Sequence, residues 1–186
     1  MRHRLPAVLL SALALLPAVP PPAAAGTPTR ELRARIERVL GAIRAPEQRA
    51  AVRAATDDLF DWPEVAQRSL GPHWQALTDG ERAEFTGLLR RLVDARLLAL
   101  AEYGATAVEY VDETVEGERA IVRTAVAMSA GRGLALDYRM VRRAGRWLVY
   151  DVVVDGTSMV GNYRAQFARI IRKASFATLV EKLATP

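Results

Sequence analysis

The chain has 186 residues, no cysteine and a formal net charge of +5 at pH 7. The absence of cysteine excludes disulfides, thiol catalysis and a lipid-modified N-terminal cysteine. The basic residues do not form a run with interleaved aromatic residues, so the positive charge does not indicate a nucleic-acid-binding protein.

The N-terminal residues have the three parts of a secretory signal peptide, over residues 1–25. Arg2 and Arg4 give a basic start, Leu5 to Val19 form an apolar run, and Ala23 to Ala25 are small residues suited to cleavage. A membrane anchor is the alternative, but the run is short for a membrane span and is broken by prolines. We therefore predict export to the periplasm and a mature chain, 26–186, that forms one domain.

Four helices are predicted in the first half of the mature chain. Thr29 is expected to cap the first helix, and Pro46 to end it. The residues that share the apolar face of this helix at helical spacing are Leu32, Ile36, Val39, Leu40 and Ile43. The second helix is expected to run through Val52 and Leu59 to Phe60.

The third and fourth helices have clearer start signals. Asp61 is expected to cap a short helix that has Pro63 in its first turn and ends at Gly71. Thr78 and Glu81 have the spacing of a capping box. The fourth and longest helix is expected to follow them and to reach about Tyr103, where Gly104 stops it.

The second half of the chain changes from a helical period to the alternation of strands. Strands are predicted over 106–114, 119–128, 134–140 and 147–154, and two helices over about 158–173 and 175–184. The short turns between the strands indicate an antiparallel meander. This order predicts an α+β domain in which helices pack on one curved, four-stranded antiparallel sheet.

The last predicted strand is apolar on both faces, which indicates that both faces are covered. Strict alternation would place Val149 and Val152 on opposite faces of this strand. Asp151 is the charge inside it. A buried carboxylate needs a partner, and Arg164 on the following helix is the natural candidate.

No catalytic or metal-binding constellation is visible in the mature sequence. It has one histidine, His73, and no cysteine, so a zinc or iron site lacks ligands. A nucleophile elbow, a P-loop and a dinucleotide-binding glycine motif are absent. Asp151 could serve as the base of a small α+β isomerase, but an ion pair within the fold is the favoured interpretation. We predict a protein that is not an enzyme and needs no cofactor or metal.

Two stretches resemble the MlaC family of periplasmic lipid-binding proteins, also called the toluene-tolerance family. The C-terminal stretch reads WLVYDVVVDGTSMVGNYRAQF, and its matching residues are Trp147, Val149, Tyr150, Asp151, Val152, Val154, Gly156, Ser158, Asn162, Tyr163, Arg164, Gln166 and Phe167. Asp155 stands where the family usually has Glu. In the earlier stretch the matching residues are Phe60, Asp61, Arg68, Leu70, Gly71, Trp74, Leu77, Thr78, Glu81 and Phe85.

The resemblance implies an α+β roll that holds lipid tails in an apolar cavity between sheet and helices. It also implies a soluble periplasmic carrier that moves phospholipid between an inner-membrane ABC transporter complex and an outer-membrane complex, with transient membrane contact. The residues expected to line the cavity are Leu92, Tyr110, Val122, Val126, Leu136, Tyr138, Val149, Val152, Val160, Tyr163 and Phe167.

Three alternatives remain open. Some relatives accompany hopanoid-making systems, so the ligand could be a polycyclic lipid rather than a phospholipid. A roll-like isomerase that uses Asp151 is the enzymatic alternative. A structural adaptor with a filled core is the third, because apolar strands and helices build a core as readily as a cavity.

Overall fold

The computed structural model describes residues 27–45, 48–101, 105–129 and 132–185. The predicted signal peptide, Tyr103 and the predicted stop at Gly104 lie outside these residues. The helices described are α1 Pro28–Ile43, α2 Gln48–Leu59, α3 Trp62–Leu70, α4 Asp79–Ala101, α5 Met159–Lys173 and α6 Phe176–Ala184, with a short 3-10 helix at Gly71–Ala76. The strands described are β1 Ala105–Glu116, β2 Arg119–Met128, β3 Leu134–Arg143, β4 Arg146–Val154 and β5 Thr157–Ser158.

The described residues form an α+β fold with one open, antiparallel sheet in which the strands follow chain order from β1 to β5. This confirms the predicted class and the antiparallel meander. The sheet has five strands rather than the predicted four, because β5 pairs with the end of β4. Asp155 and Gly156 both have positive φ, 44° and 82°, which is the backbone of a two-residue hairpin turn. The turn therefore folds the chain back far enough for Thr157 to pair with Val154.

Two of the three helix caps predicted from the sequence are present in the structure. The Asp61 side chain accepts a hydrogen bond from the Glu64 amide at 3.2 Å, as predicted for the start of α3. The Thr78 amide donates to the Glu81 carboxylate at 2.8 Å, which confirms the capping box. The predicted cap of α1 was wrong by two residues.

Thr27, not Thr29, caps α1, because Pro28 occupies the first turn, where a proline without an N–H is tolerated. The Thr27 side chain accepts from the Arg30 amide at 3.3 Å. Thr29 lies inside the helix and its amide donates to the Glu113 carboxylate of β1 at 2.7 Å. The start of α1 is thereby tied to the sheet.

A β-bulge in β4 changes which face of the sheet each residue occupies. Arg139 of β3 pairs with Asp151, and the next residue, Met140, pairs with Val149, so Tyr150 has no counterpart on β3. An extra residue on one strand shifts the alternation by one position. Val149 and Val152 therefore share a face, and the prediction that they lie on opposite faces was wrong.

The core lies between the helices and one face of the sheet, which we call the inner face. It contains Val65 of α3, Phe85 of α4, and Met140 and Val149 of the sheet, all without measurable exposure. Phe167 of α5 meets Phe85 edge-to-face, with ring centroids 5.7 Å apart. No helix in the described part of the chain is long and apolar enough to cross a membrane.

Asp58 at the end of α2 is the centre of a charge cluster that joins α1, α2 and β4. Its carboxylate lies 2.6 Å from the Arg38 guanidinium and 3.4 Å from that of Arg35. It also pairs with Arg146, the first residue of β4. Partial burial raises the pKa of Asp58, but the three guanidiniums outweigh burial and hold the pKa below its usual value.

We expect Asp58→Asn to destabilise the protein by about 1 kcal/mol at pH 7. Each partly exposed ion pair contributes little to stability, but this substitution weakens three of them at once. Because the folded pKa is depressed, the contribution is present above the unfolded value of 3.8 and is lost as pH falls through the lower folded value. Urea unfolding at pH 7 and near pH 3 measures this: the difference from wild type should shrink in acid.

Asp79→Asn is the matched control, because the Asp79 side chain is fully exposed and, among the described residues, pairs with Arg82 alone. Its effect should stay within about 0.5 kcal/mol at both pH values. A difference between wild type and Asp58→Asn that does not change with pH would show that the carboxylate charge is not what joins these elements.

Candidate functional site

An apolar cavity of about 450 Å³ lies between the inner face of the sheet and helices α1, α4 and α5. All but two of the residues in its wall are aliphatic, aromatic or methionine. The lining residues are Ile36, Val39, Leu40, Ile43, Arg44, Leu59, Phe60, Val93, Arg96, Leu97, Val108, Val126, Met128, Leu134, Leu136, Tyr138, Val152, Val154, Met159 and Tyr163.

The sheet side of the cavity follows from strand register. Val126 of β2 is directly opposite Leu134 of β3, and Tyr138 of β3 is opposite Val152 of β4. Residues that face each other across antiparallel strands project to the same side of the sheet. The bulge at Tyr150 is what brings Val152 to this side. These strands therefore present a continuous apolar surface to the cavity.

The helix side comes mainly from α1. Ile36, Val39, Leu40 and Ile43 are spaced by three, one and three residues, so they lie on one stripe of the helix. The sequence indicated this stripe, but nothing in its pattern distinguished a cavity wall from core packing. α1 is held against the sheet at its start through Glu113.

The cavity wall contains four ionisable side chains, which belong to two arginines and two tyrosines. Arg44 and Arg96 are both exposed, so their part of the wall reaches the protein surface. Burial raises the pKa of Tyr138 well above its ordinary value. Burial also raises the pKa of Tyr163, against an opposing effect of the Arg96 charge. Both phenols therefore remain protonated at pH 7, and the wall carries positive but no negative charge.

The eleven residues predicted from the sequence divide into three groups. Five of them line the cavity: Val126, Leu136, Tyr138, Val152 and Tyr163. Four others are buried in the core beside it: Val122, Val149, Val160 and Phe167. Their contact with a ligand stays a prediction.

The remaining two lie elsewhere. Tyr110 is half-buried on β1, with the Arg33 guanidinium 4.2 Å from its ring centre. Leu92 projects from α4 into a separate groove. α4 presents Val93 and Leu97 to the cavity instead, which places Leu92 on a neighbouring stripe of the same helix.

Asp151, the candidate functional acid, is held by three donors. Its carboxylate accepts from the Ser158 hydroxyl at 2.7 Å, the Val160 amide at 3.0 Å and the Arg139 guanidinium at 3.1 Å. The side chain is nearly fully buried and does not line the cavity. A carboxylate at the first turn of α5 also interacts favourably with the helix dipole.

The prediction that Arg164 pairs with Asp151 was wrong. Arg139 is the partner because it lies directly opposite Asp151 in the register of β3 and β4. The aliphatic part of Arg164 packs beside Gly71 instead, so close that a Cβ at Gly71 would be only 3.1 Å from its Cδ. Gly71 also has a positive φ of 57°. Both the close contact and the backbone conformation therefore favour glycine at this position.

The described ranges contain no group of three or more His, Cys, Asp or Glu side chains that could hold a metal ion.

A family model described as MlaC protein matches residues 31–185. The chain belongs to the MlaC family.

A solved structure with the same architecture supports this assignment at the level of the fold. It is a phospholipid-binding protein from Ralstonia solanacearum in complex with a phospholipid, 23% identical in sequence, with a TM-score of 0.70. The match covers 87% of this MlaC-family chain and 96% of the other. A comparison with curated proteins found no match.

We expect Asp151→Asn to destabilise this MlaC-family protein by about 2–4 kcal/mol, because it removes a charge from a buried, hydrogen-bonded site. For a domain of this size that corresponds to a fall in the melting midpoint of roughly 5–15 °C. Thermal unfolding monitored by circular dichroism measures it.

Asp112→Asn is the matched control. Asp112 also pairs with a strand arginine, Arg123, and the two arginines are equally exposed at 40% and 43%, but the Asp112 side chain is 54% exposed and that of Asp151 is 3%. The control should change stability by less than about 1 kcal/mol. An unchanged midpoint for Asp151→Asn would contradict a structural role and return Asp151 to candidacy as a catalytic base.

Proposed function

We propose that this MlaC-family protein is a periplasmic lipid carrier that binds a phospholipid and moves it between an inner-membrane ABC transporter complex and an outer-membrane complex. The apolar cavity between sheet and helices carries the proposal. Membership of the family supports it, since the family resemblance implies lipid transport. The phospholipid bound by the Ralstonia solanacearum protein of the same fold supports the choice of ligand class.

The wall of the cavity suits acyl chains. Moving two chains of about 15 methylenes each into water costs on the order of 24 kcal/mol at roughly 0.8 kcal/mol per methylene. A carrier must therefore give the tails an apolar enclosure, and a volume of about 450 Å³ falls within the ordinary range of ligand pockets.

The polar end of the lipid would lie where the cavity reaches the surface. Arg44 and Arg96 are the charged residues of the wall and both are exposed. A lipid phosphate is anionic, so these side chains suit the end of the cavity at which the headgroup leaves the protein. The headgroup itself would stay in solvent, which predicts weak selectivity among headgroups.

The cavity offers little to an enzymatic mechanism. General acid–base catalysis needs groups that exchange protons near the working pH. The two tyrosines of the wall have raised pKa values, and Asp151 is engaged by three donors outside the wall. These observations favour binding over catalysis.

We expect the mature protein, residues 26–186, to retain lipid through purification. Native mass spectrometry of the protein, followed by extraction and identification of the released lipid, measures both stoichiometry and chemical class. A phospholipid mass supports the proposal, and a polycyclic lipid mass would replace phospholipid by a hopanoid-like ligand. Protein that emerges without lipid and takes none from liposomes would contradict the carrier function.

We expect Val126→Glu to prevent lipid uptake, because it places a carboxylate without a partner in the apolar wall. Such burial costs several kcal/mol, so a lower melting temperature is expected as well. Uptake of a fluorescent phospholipid from liposomes is the measurement.

Ala125→Glu is the control. Ala125 neighbours Val126 on β2 but is exposed on the other face of the sheet. The Ala125→Glu substitution introduces the same charge one residue away and should leave lipid uptake at the wild-type level. If Val126→Glu folds and loads lipid normally, the cavity is not the binding site.

A further inference from the structure

A second concave surface lies between α2, α4 and α6, and it differs in chemistry from the lipid cavity. This basic groove has a volume of about 930 Å³. It is lined by Arg49, Arg53, Arg91, Leu92, Asp94, Ala95, Arg96, Leu98, Lys182, Leu183, Ala184 and Thr185. Five of these side chains are cationic and one is acidic.

The cations of the basic groove are only partly neutralised within the described part of the chain. None of Arg49, Arg53, Arg91, Arg96 and Lys182 forms an ion pair with a described residue, whereas Arg90 beside them is paired with Asp57. Asp94, the one carboxylate of the groove, is buried, accepts a hydrogen bond from the Thr56 hydroxyl at 2.8 Å and interacts electrostatically with Arg53. Unpaired cations brought together from three helices repel one another, so an anionic partner would stabilise this surface.

The basic groove adjoins the lipid cavity through one shared residue. Arg96 lines both. On α4 the two surfaces therefore occupy neighbouring stripes, with Val93 and Leu97 toward the cavity and Leu92 and Leu98 toward the groove. A partner seated in the groove would lie beside the place where the cavity reaches the surface.

We propose that the basic groove docks the protein on anionic phospholipid bilayers, with its cations on the headgroup phosphates. Each basic residue near an anionic bilayer contributes attraction that falls off within a Debye length. The inference rests on the proposed function in naming a bilayer as the partner, since a carrier must meet the membrane where it collects or releases lipid.

The test is co-sedimentation of the mature protein with vesicles of phosphatidylcholine alone and with vesicles that also contain phosphatidylglycerol. Wild-type protein should bind the anionic vesicles more strongly, and raised salt should abolish the difference. The variant Arg49→Gln, Arg53→Gln, Arg91→Gln should bind them more weakly, by about fivefold for each charge removed.

The matched control is Arg169→Gln, Arg172→Gln, Lys173→Gln, which removes three exposed cations of α5 that lie outside the groove. Because this control removes the same net charge as the groove variant, it should bind anionic vesicles nearly as strongly as wild type. Circular dichroism checks that every variant is folded.

The docking surface would be overturned by equal binding to both kinds of vesicle, or by groove variants that bind like wild type. Binding of an acidic peptide such as polyglutamate without binding to vesicles would also overturn it, and would make the groove a protein-binding site. The lipid content of each variant, measured by native mass spectrometry, separates this inference from the carrier function. Groove variants should retain lipid, and wild-type protein without lipid would count against the carrier alone.

Discussion

The carboxylate of Asp151 sets the geometry on which the cavity depends. It joins β3 through Arg139 and the first turn of α5 through Val160 and Ser158. Ser158 caps α5 with the same hydroxyl, accepting from the Gly161 amide at 2.9 Å. The start of α5 is thus fixed to the sheet by charge-assisted hydrogen bonds, which are among the stronger ones in proteins. That attachment places Met159 in the cavity wall.

The bulge at Tyr150 complements this attachment. Without it, Asp151 and Val153 would exchange faces with Val152 and Val154, and the carboxylate would point into the apolar interior. With the bulge, Val152 and Val154 line the cavity, and the Asp151 carboxylate meets Arg139 on the other face. A single extra residue therefore separates the polar junction from the apolar wall. The Tyr150 ring itself packs against the Arg68 guanidinium, 4.5 Å from the ring centre.

Much of the fold was predictable because its signals are local. The capping box at Thr78, the cap at Asp61 and the alternation of β2 each depend on residues within a few positions of one another. Asp155 and Gly156 are residue types typical of turns, but the two-residue return strand after them was too short to have a pattern. The bulge at Tyr150 depends on the partner strand, so no property of β4 alone revealed it.

The candidate site was also predictable in part, because some of its residues are marked by local patterns. Val126, Leu136 and Tyr138 lie on regularly alternating strands, and alternation placed them correctly on the inner face. The contribution of α1 was missed because an apolar stripe has the same sequence pattern whether it meets a core or a cavity. The partner of Asp151 was missed because strand register, not proximity along the chain, selects Arg139 over Arg164.

In the proposed carrier, acyl chains lie against the inner face of the sheet. Proton–proton contacts between the acyl methylenes of a bound phospholipid and methyl-labelled valines and leucines, measured by NMR, test it most directly. We expect contacts to Val126, Leu136 and Val152, and none to Val111, whose side chain is 62% exposed on β1. Contacts at Val111 or at the leucines of the basic groove, with none at the three cavity residues, would contradict it.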